Sequence, residues 1–312
     1  MARFLITGGA GFIGSNLARR LLSMGEEVVI LDDLSTGKME NLEDISGRTK
    51  MVVGDICDIA KVREAMAGVN YVFHHAAVVS VPRSVDDPVR TNEVNVDGTL
   101  NCLEVAREVG ARRFVYAASS SAYGDSEELP KHEDMKPHPL SPYGVSKLVG
   151  EMYCRVFYEV YGLPTVSLRY FNIFGPYQDP HSQYAAVVPI FIAKLLSDQS
   201  PLIFGDGEQS RDFTYIDNAI QANLLAVRSD KADGKVINVA CGARYTLNEL
   251  VESLKTLIGS KADPTYVEPR AGDIKHSMGD ISTAHDLLGY VPEVSFEDGL
   301  QRTVDWFRSR AR

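Results

Sequence analysis

Cysteine is scarce in this chain. Four are spread over 312 residues, at Cys57, Cys102, Cys154 and Cys241, and none forms a C-x-x-C pair. That leaves no disulfide framework to read and predicts free thiols in a reducing compartment. Basic charge is short as well: 32 Lys and Arg stand against 42 Asp and Glu, for a net charge of −10. No basic block of five residues interrupts that balance. The surface therefore repels polyanions, and neither nucleic acid nor an anionic membrane is an expected partner. No apolar run is long enough to cross a membrane. The apolar start, MARFLITGGAGFIG, breaks into glycines far too early for a signal peptide. The expectation is a cytoplasmic protein. Low-complexity segments and internal repeats are missing too. His74 and His75 adjoin each other in a strand pattern, which sends them to opposite faces. No histidine has a ligand partner in spacing, so no metal site is indicated.

What is present reads as an alternation of strands and helices. RFLITGG (Arg3–Gly9) is a short apolar run ending in glycines, and IGSNLARRLLSMG places Ile13, Leu17, Leu21 and Leu22 on one helical stripe. EVVILDD, MVVGDICD, NYVFHHAA, RRFVYAASSS and PTVSLRYFN read as further strands. Helical patterns lie between them, around Ile59–Ala67, Arg90–Val109 and Tyr143–Tyr161. Such alternation predicts a parallel sheet covered on both faces. After Asn172 the regularity weakens, with Pro and Gly recurring from Gly175 to Gly207, and the tail from Thr246 reads as mostly helical. The division expected is one domain of residues 1–169 plus about 213–240, and a smaller one of about 170–212 plus 241–312.

Two local patterns carry chemistry. TGGAGFIG holds Gly8, Gly9, Gly11 and Gly14 between a strand and a helix. Glycines there allow a tight turn and close approach of backbone to a pyrophosphate, which the helix N-terminus then faces. The next strand ends at Asp32, whose carboxylate can accept bonds from ribose hydroxyls and repels a 2′-phosphate, so NAD is expected over NADP. SPYGVSK sets Tyr143 and Lys147 one helical turn apart on a shared face, with Pro142 suited to the helix start. A phenol with a pKa near 10 is a poor base. A nearby ammonium and an oxidised nicotinamide would lower that value.

Glycine loop, acid and Y-x-x-x-K together resemble the short-chain dehydrogenase/reductase superfamily. The chain length, SSSAYG and LRYFNIFGP narrow the likeness to its extended, nucleotide-sugar-modifying branch. Within that branch the whole chain is similar to the UDP-hexose 4-epimerases, resembling the UDP-N-acetylglucosamine/UDP-glucose 4-epimerases. The resemblance implies an α/β architecture: a Rossmann-type doubly wound parallel sheet binding NAD, with a smaller mixed α/β domain binding the UDP-sugar. It implies a cofactor site at Gly8, Gly11, Phe12, Ile13 and Gly14, with Asp32 on the ribose. Asp55 and Ile56 would lie at the adenine, and Ala76 and Asn95 near the nicotinamide ribose. Ser119, Tyr143 and Lys147 would carry the proton transfer, with Ser120 beside the substrate. Asn172, Arg211, Arg270 and Asp273 would hold UDP, because paired guanidinium groups grip a diphosphate through parallel bonds. It also implies a homodimer built on the Arg90–Val109 and Tyr143–Tyr161 helices.

The neighbours in that branch differ at particular residues. The 4,6-dehydratases place an acid and a base where this chain has Ser120 and Ser121, so water elimination is not expected. The uronate decarboxylases expect a glutamate in that region, and it is missing. A UDP-glucuronate 4-epimerase keeps the serines and stays open as an alternative, as does a non-catalytic NAD-binding regulator on the same fold. Ser277 stands where a tyrosine in the family goes with exclusion of 2-acetamido sugars. With the small Ala185 and Ala186, it predicts acceptance of UDP-N-acetylglucosamine and UDP-N-acetylgalactosamine alongside UDP-glucose and UDP-galactose.

Overall fold

A computed structural model describes residues 1–180, 186–269 and 274–310. Six parallel strands are named here: β1 (Arg3–Thr7), β2 (Glu27–Asp32), β3 (Thr49–Val53), β4 (Tyr71–His74), β5 (Arg113–Ser119) and β6 (Thr165–Tyr170). A seventh strand, Lys235–Val239, joins them on the far side of β6, giving the order (235–239)-β6-β5-β4-β1-β2-β3. The order runs outward in one direction from β1 to β3 and in the other from β4 to β6. The crevice between β1 and β4 is therefore the switch point where doubly wound sheets bind ligands.

Alternation along the strands divides the core. Phe4, Ile6, Ile30, Phe73 and Leu168 face one side, where they pack with Leu17 and Leu21 and with the aromatic cluster of Phe174, Phe213 and Phe296. Leu5, Val29, Val72, Phe114 and Tyr116 face the other, against Val62, Leu103, Val105 and Phe157. Burial on both faces is why these strands read as unbroken apolar runs.

The covering helices are α1 (Phe12–Ser23), α2 (Ile59–Met66), α3 (Val81–Asp86), α4 (Pro88–Asn92), α5 (Gly98–Glu108) and α6 (Pro142–Tyr161). The helical run expected over Arg90–Val109 is interrupted: a π-helical turn, Glu93–Asp97, joins α4 to α5. Beyond β6 the chain forms small pairings, Ile173–Phe174 with Thr214–Tyr215, Leu202–Phe204 with Thr265–Val267, and Ser210–Arg211 with Tyr245–Thr246. Helices Val187–Leu196, Ile216–Ala226, Leu247–Ile258, Ser282–Leu288 and Phe296–Arg310 complete it. Among the described residues the tail is mostly helical, with two short strands and irregular stretches between the helices.

Candidate active site

The turn from β1 into α1 forms a cradle that side chains would fill. A Cβ on Gly8, whose φ is +69°, would lie 2.7 Å from the Ala76 backbone nitrogen, and one on Gly14 would lie 2.4 Å from the Gly8 carbonyl oxygen. Gly11 precedes the helix with no side-chain cap, and no acid occupies the first turn through Phe12 and Ile13. The first amides of α1 are thus left for an anion. Asp32 is buried at the end of β2, accepting the Ala10 and Leu34 N–H groups at 2.9 Å each. Each of its oxygens keeps a lone pair for a hydroxyl donor. Burial raises its pKa, with the two N–H bonds opposing. This donor and acceptor set fits NAD. A second phosphate at the ribose would meet the Asp32 carboxylate.

Asp55 accepts the Cys57 N–H at 2.8 Å and the Arg90 guanidinium at 2.5 Å. Burial works against its charge, yet Cys57 and Arg90 outweigh it and hold the carboxyl low. Ile56 is buried beside it. Asn95 sits in the π-turn and is fully engaged: it accepts the Val78 N–H at 2.7 Å and donates to the Val78 carbonyl and to Ser146 Oγ. It ties the β4 loop that carries Ala76 to the helix that carries Tyr143 and Lys147.

That helix, α6, begins as the sequence suggests. Ser141 caps it by accepting the Gly144 N–H at 3.1 Å, Pro142 is its first residue, and Gly162 ends it in the left-handed conformation. Tyr143 is partly exposed, and its N–H donates to the buried Ser84 Oγ at 3.1 Å. Its phenol faces Ser119, at the C-terminal end of β5, closely enough for that hydroxyl to pull the phenol's pKa down. The net shift of that phenol is upward, because burial dominates and Ser119 only opposes it. The Lys147 ammonium lies 4.7 Å above the Tyr116 ring. Lys147 is 3% exposed, and burial brings its pKa down to about 8. Ser119 Oγ also meets Ser121 Oγ at 3.0 Å, and Ser120 stands between them in a short 3₁₀ turn.

On the other side of the crevice, Asn172 donates to the Asp212 carbonyl at 3.3 Å, which sets it beside Arg211. Arg211 donates to the Ser210 and Lys275 carbonyls, and the Ser277 N–H donates to the Ser210 carbonyl at 3.0 Å. Asn172, Arg211 and Ser277 thus converge on one strand pair. Asp212 is buried and accepts the Cys241, Gly242 and Gly279 N–H groups, tying three segments together. Arg270, Asp273 and Ala185 lie outside the described residues. A cavity of about 520 Å³ opens beside this group, lined by Phe204, Gly205, Gln209, Pro269 and Lys275 among others. A second, of about 340 Å³, shares Ile274 and Lys275 and is bounded by Asp125–Glu127, Leu129 and His276.

Several of these residues escaped the sequence reading. Gln209 stands two positions before Arg211 and so shares its strand direction, a signal that could have found it. Glu151 continues the Tyr143, Lys147 stripe by one more turn. It forms a bidentate buried pair with Arg169 of β6, at 2.8 and 2.7 Å, and could have been found by extending the i,i+4 count. His74 and His75 do face opposite ways: His74 meets Thr7 and Thr99, whereas His75 stacks on Tyr170.

Comparison with known proteins supplies the family context. The NAD dependent epimerase/dehydratase family matches residues 4–240. The UDP-glucose 4-epimerase of Mycolicibacterium smegmatis is 39% identical, over 99% of this chain and 100% of the relative. A UDP-N-acetylglucosamine 4-epimerase from Methanobrevibacter ruminantium, solved with UDP-N-acetylmuramic acid, superposes with a TM-score of 0.94 at 42% identity, covering 99% of each chain. A Thermus thermophilus UDP-glucose 4-epimerase solved with NAD gives a TM-score of 0.89 at 37% identity, covering 98% of this chain and 99% of that one.

Proposed function

Because the chain belongs to the NAD-dependent epimerase/dehydratase family, we propose that it is a UDP-sugar 4-epimerase working through a transient 4-keto sugar. The observation that carries this reading is the convergence of Ser119, Tyr143 and Lys147 at the C-terminal edge of the sheet, with serines and no carboxylate following Ser119. Water elimination would need an acid and a base there. Epimerisation needs only one proton acceptor that later gives its proton back.

Gly8, Gly11, Phe12, Ile13 and Gly14 hold the cofactor's pyrophosphate, Asp32 its adenosine ribose, Asp55 and Ile56 its adenine, and Ala76 and Asn95 the nicotinamide side. The chemistry that NAD supplies when bound is reversible hydride acceptance at carbon 4, next to a positive ring that favours a phenolate. Tyr143 takes the proton of the 4-hydroxyl, and Ser119, facing the phenol, shares that proton's path. Lys147 keeps a positive charge under the same site. Ser120 lines the sugar. Asn172 and Arg211, with Arg270 and Asp273, anchor UDP through its phosphates. The keto sugar is then free to turn and present its other face. Tyr143 returns the proton, and no net redox change results.

The substrate segment is residues of about 170–212 plus 241–312, and the NAD segment is residues 1–169 plus about 213–240. Ser277 lies beside Arg211 and next to His276 of the second cavity, and a serine leaves room there that a phenol ring would fill. The acetamido pair, UDP-N-acetylglucosamine and UDP-N-acetylgalactosamine, is therefore accepted alongside UDP-glucose and UDP-galactose. The protein acts as a homodimer. Val145, Met152, Val156 and Val160 form an exposed stripe along α6, and Val160 and Val89 are 65% and 68% exposed. An apolar helical face of that length favours a second copy.

Two measurements test these statements. The kcat/KM of the wild type and Ser277→Tyr is compared on the four UDP-sugars and on UDP-glucuronate, with the NAD and NADP content of the purified protein. Bound NAD without turnover of any sugar supports a silent regulator instead, and turnover of the uronate alone supports the uronate epimerase. Light scattering near the single-chain mass of 34.3 kDa would remove the dimer.

A further inference from the structure

The pair Glu151–Arg169 is out of place if stability were its only role. Both side chains are 3% exposed, and two parallel bonds of 2.8 and 2.7 Å join them. A buried ion pair is commonly no more stable than apolar residues of the same volume, because desolvating two charges offsets their attraction. The Arg169 guanidinium lies 4.6 Å above the Tyr123 ring, and the Tyr123 hydroxyl donates to Asn238 at 2.7 Å. The pair is thus held rigidly from the side of β6 and Lys235–Val239.

Its position on α6 gives it another use. Tyr143, Lys147 and Glu151 are spaced by four, so they form one stripe on the sheet-facing side of the helix. The groups around the Lys147 ammonium can be named. Tyr143, Glu151 and Cys154 lie on its own helix, His74 and His75 on β4 and its exit, Tyr116 on β5, and Arg169 on β6 behind Glu151. Both histidines are held neutral by burial and by Lys147, and the Cys154 thiol is pushed up to about 12 by burial. Burial raises the Glu151 pKa on balance, with Arg169 and Lys147 opposing, and the two parallel bonds from the Arg169 guanidinium are the geometry of an ionised carboxylate, the one anion of that set.

We propose that Glu151, held in place by Arg169, is a positioning residue that keeps buried Lys147 cationic beneath Tyr143 during proton transfer. The proposal rests on the epimerase reading of that site. Lys147 alone would be a dry ammonium facing aromatic rings, and such a lysine releases its proton readily. Arg169 engages both Glu151 oxygens, at 2.8 and 2.7 Å. The pair presents its negative end to the lysine and its positive end to Tyr123.

The test is a pH profile of kcat with three variants. Glu151→Met with Arg169→Met removes both charges together, so no buried charge is left alone. If the pair acts on Lys147, this protein folds and holds NAD, while the alkaline limb of kcat moves down by a measurable step that is smaller than the roughly one pH unit of a single close charge, because the Arg169 charge behind Glu151 leaves with it. Its KM for the UDP-sugar stays near wild type. A folded double variant with wild-type kcat and an unmoved limb overturns the proposal. Should the double variant not fold, Glu151→Asp and Glu151→Gln decide: the aspartate keeps the wild-type limb and the glutamine shifts it, and equal limbs overturn the proposal. A second readout needs no sugar turnover. The rate at which an amine-borane hydride donor reduces bound NAD is followed against pH, and its alkaline break moves with Glu151 in the same way. A wild type that turns over no sugar removes the epimerase reading, whereas a borane break that ignores Glu151 removes the positioning role.

Discussion

Gly150→Ala is a one-carbon change that reaches the reaction through the register of a helix. Gly150 lies on α6 between Lys147 and Glu151, where the helix presses against β5. A Cβ built there would lie 2.2 Å from the Tyr116 hydroxyl oxygen and 2.4 Å from its ring carbon Cζ. Tyr116 is fully buried and cannot swing aside. To restore ordinary contact, helix and strand must part by roughly 1 Å. Alanine is the better helix former by about 1 kcal/mol, but overpacking a core costs about 1–3 kcal/mol, so a small net loss of stability is expected. The larger effect is on rate. Tyr143 and Lys147 ride on the same helix within two turns, and the Lys147 ammonium sits over that Tyr116 ring. A displacement of about 1 Å in a reacting group can lower the rate by about 100-fold. The assay is kcat for epimerisation, beside the melting temperature and the NAD content. We expect kcat to fall by about 10- to 100-fold with the protein folded and NAD retained. Wild-type kcat together with a raised melting temperature would refute the close packing of α6 on β5.

Other outcomes follow from single groups. Tyr143→Phe should lower kcat by about two to four powers of ten while NAD stays bound, and near-normal turnover would remove the phenol from the reaction. Epimerisation should fall as pH rises through about 8, where buried Lys147 loses its proton. Above that pH the unfolded chain binds a proton that the folded chain has released, so Lys147's contribution to stability rises there; a melting temperature that collapses together with kcat would argue for unfolding instead. His75→Phe should raise the melting temperature by a few degrees, since both ring nitrogens are buried without a partner and one such group costs about 1–3 kcal/mol. An unchanged or lower value would point to a partner such as bound water.

Much of the frame was legible because each element carries its own signal. β1 and β2 are apolar on both faces, and α6 is bounded by Ser141, Pro142 and Gly162, whose roles are local. What could not be read depends on distant residues. The π-turn at Glu93–Asp97 lies inside an unbroken helical pattern, and what sets it apart is Asn95 reaching to Val78 and Ser146. The two- and three-residue strands beyond β6 form only against partners far along the chain, such as Ser210–Arg211 against Tyr245–Thr246. The burial that pushes up the Tyr143 phenol is not legible in spacing, which shows which groups share a face but not how much water is removed around them.

The placement of charge separates two kinds of selectivity in this molecule. Glu151, Arg169, Asn95 and Asp212 are all buried, and each is hydrogen-bonded to partners from a different element. Altering any of them leaves another polar group without its partner, at a cost of about 1–3 kcal/mol or more for a charge. The chemistry of proton transfer is therefore locked to the fold. The walls facing the second cavity are different. Asp125–Glu127 and Ile274–His276 are half-buried or exposed, and Lys275 and His276 reach the rest of the fold mainly through Ser210 and Arg211. On the proposed epimerase reading, a change there would alter the shape offered to a sugar without stranding a buried charge. Sugar preference can consequently vary on an unchanged proton-transfer site, and Ser277, adjoining that wall by one residue, is where a change of size should be felt by the sugar before it is felt by the fold.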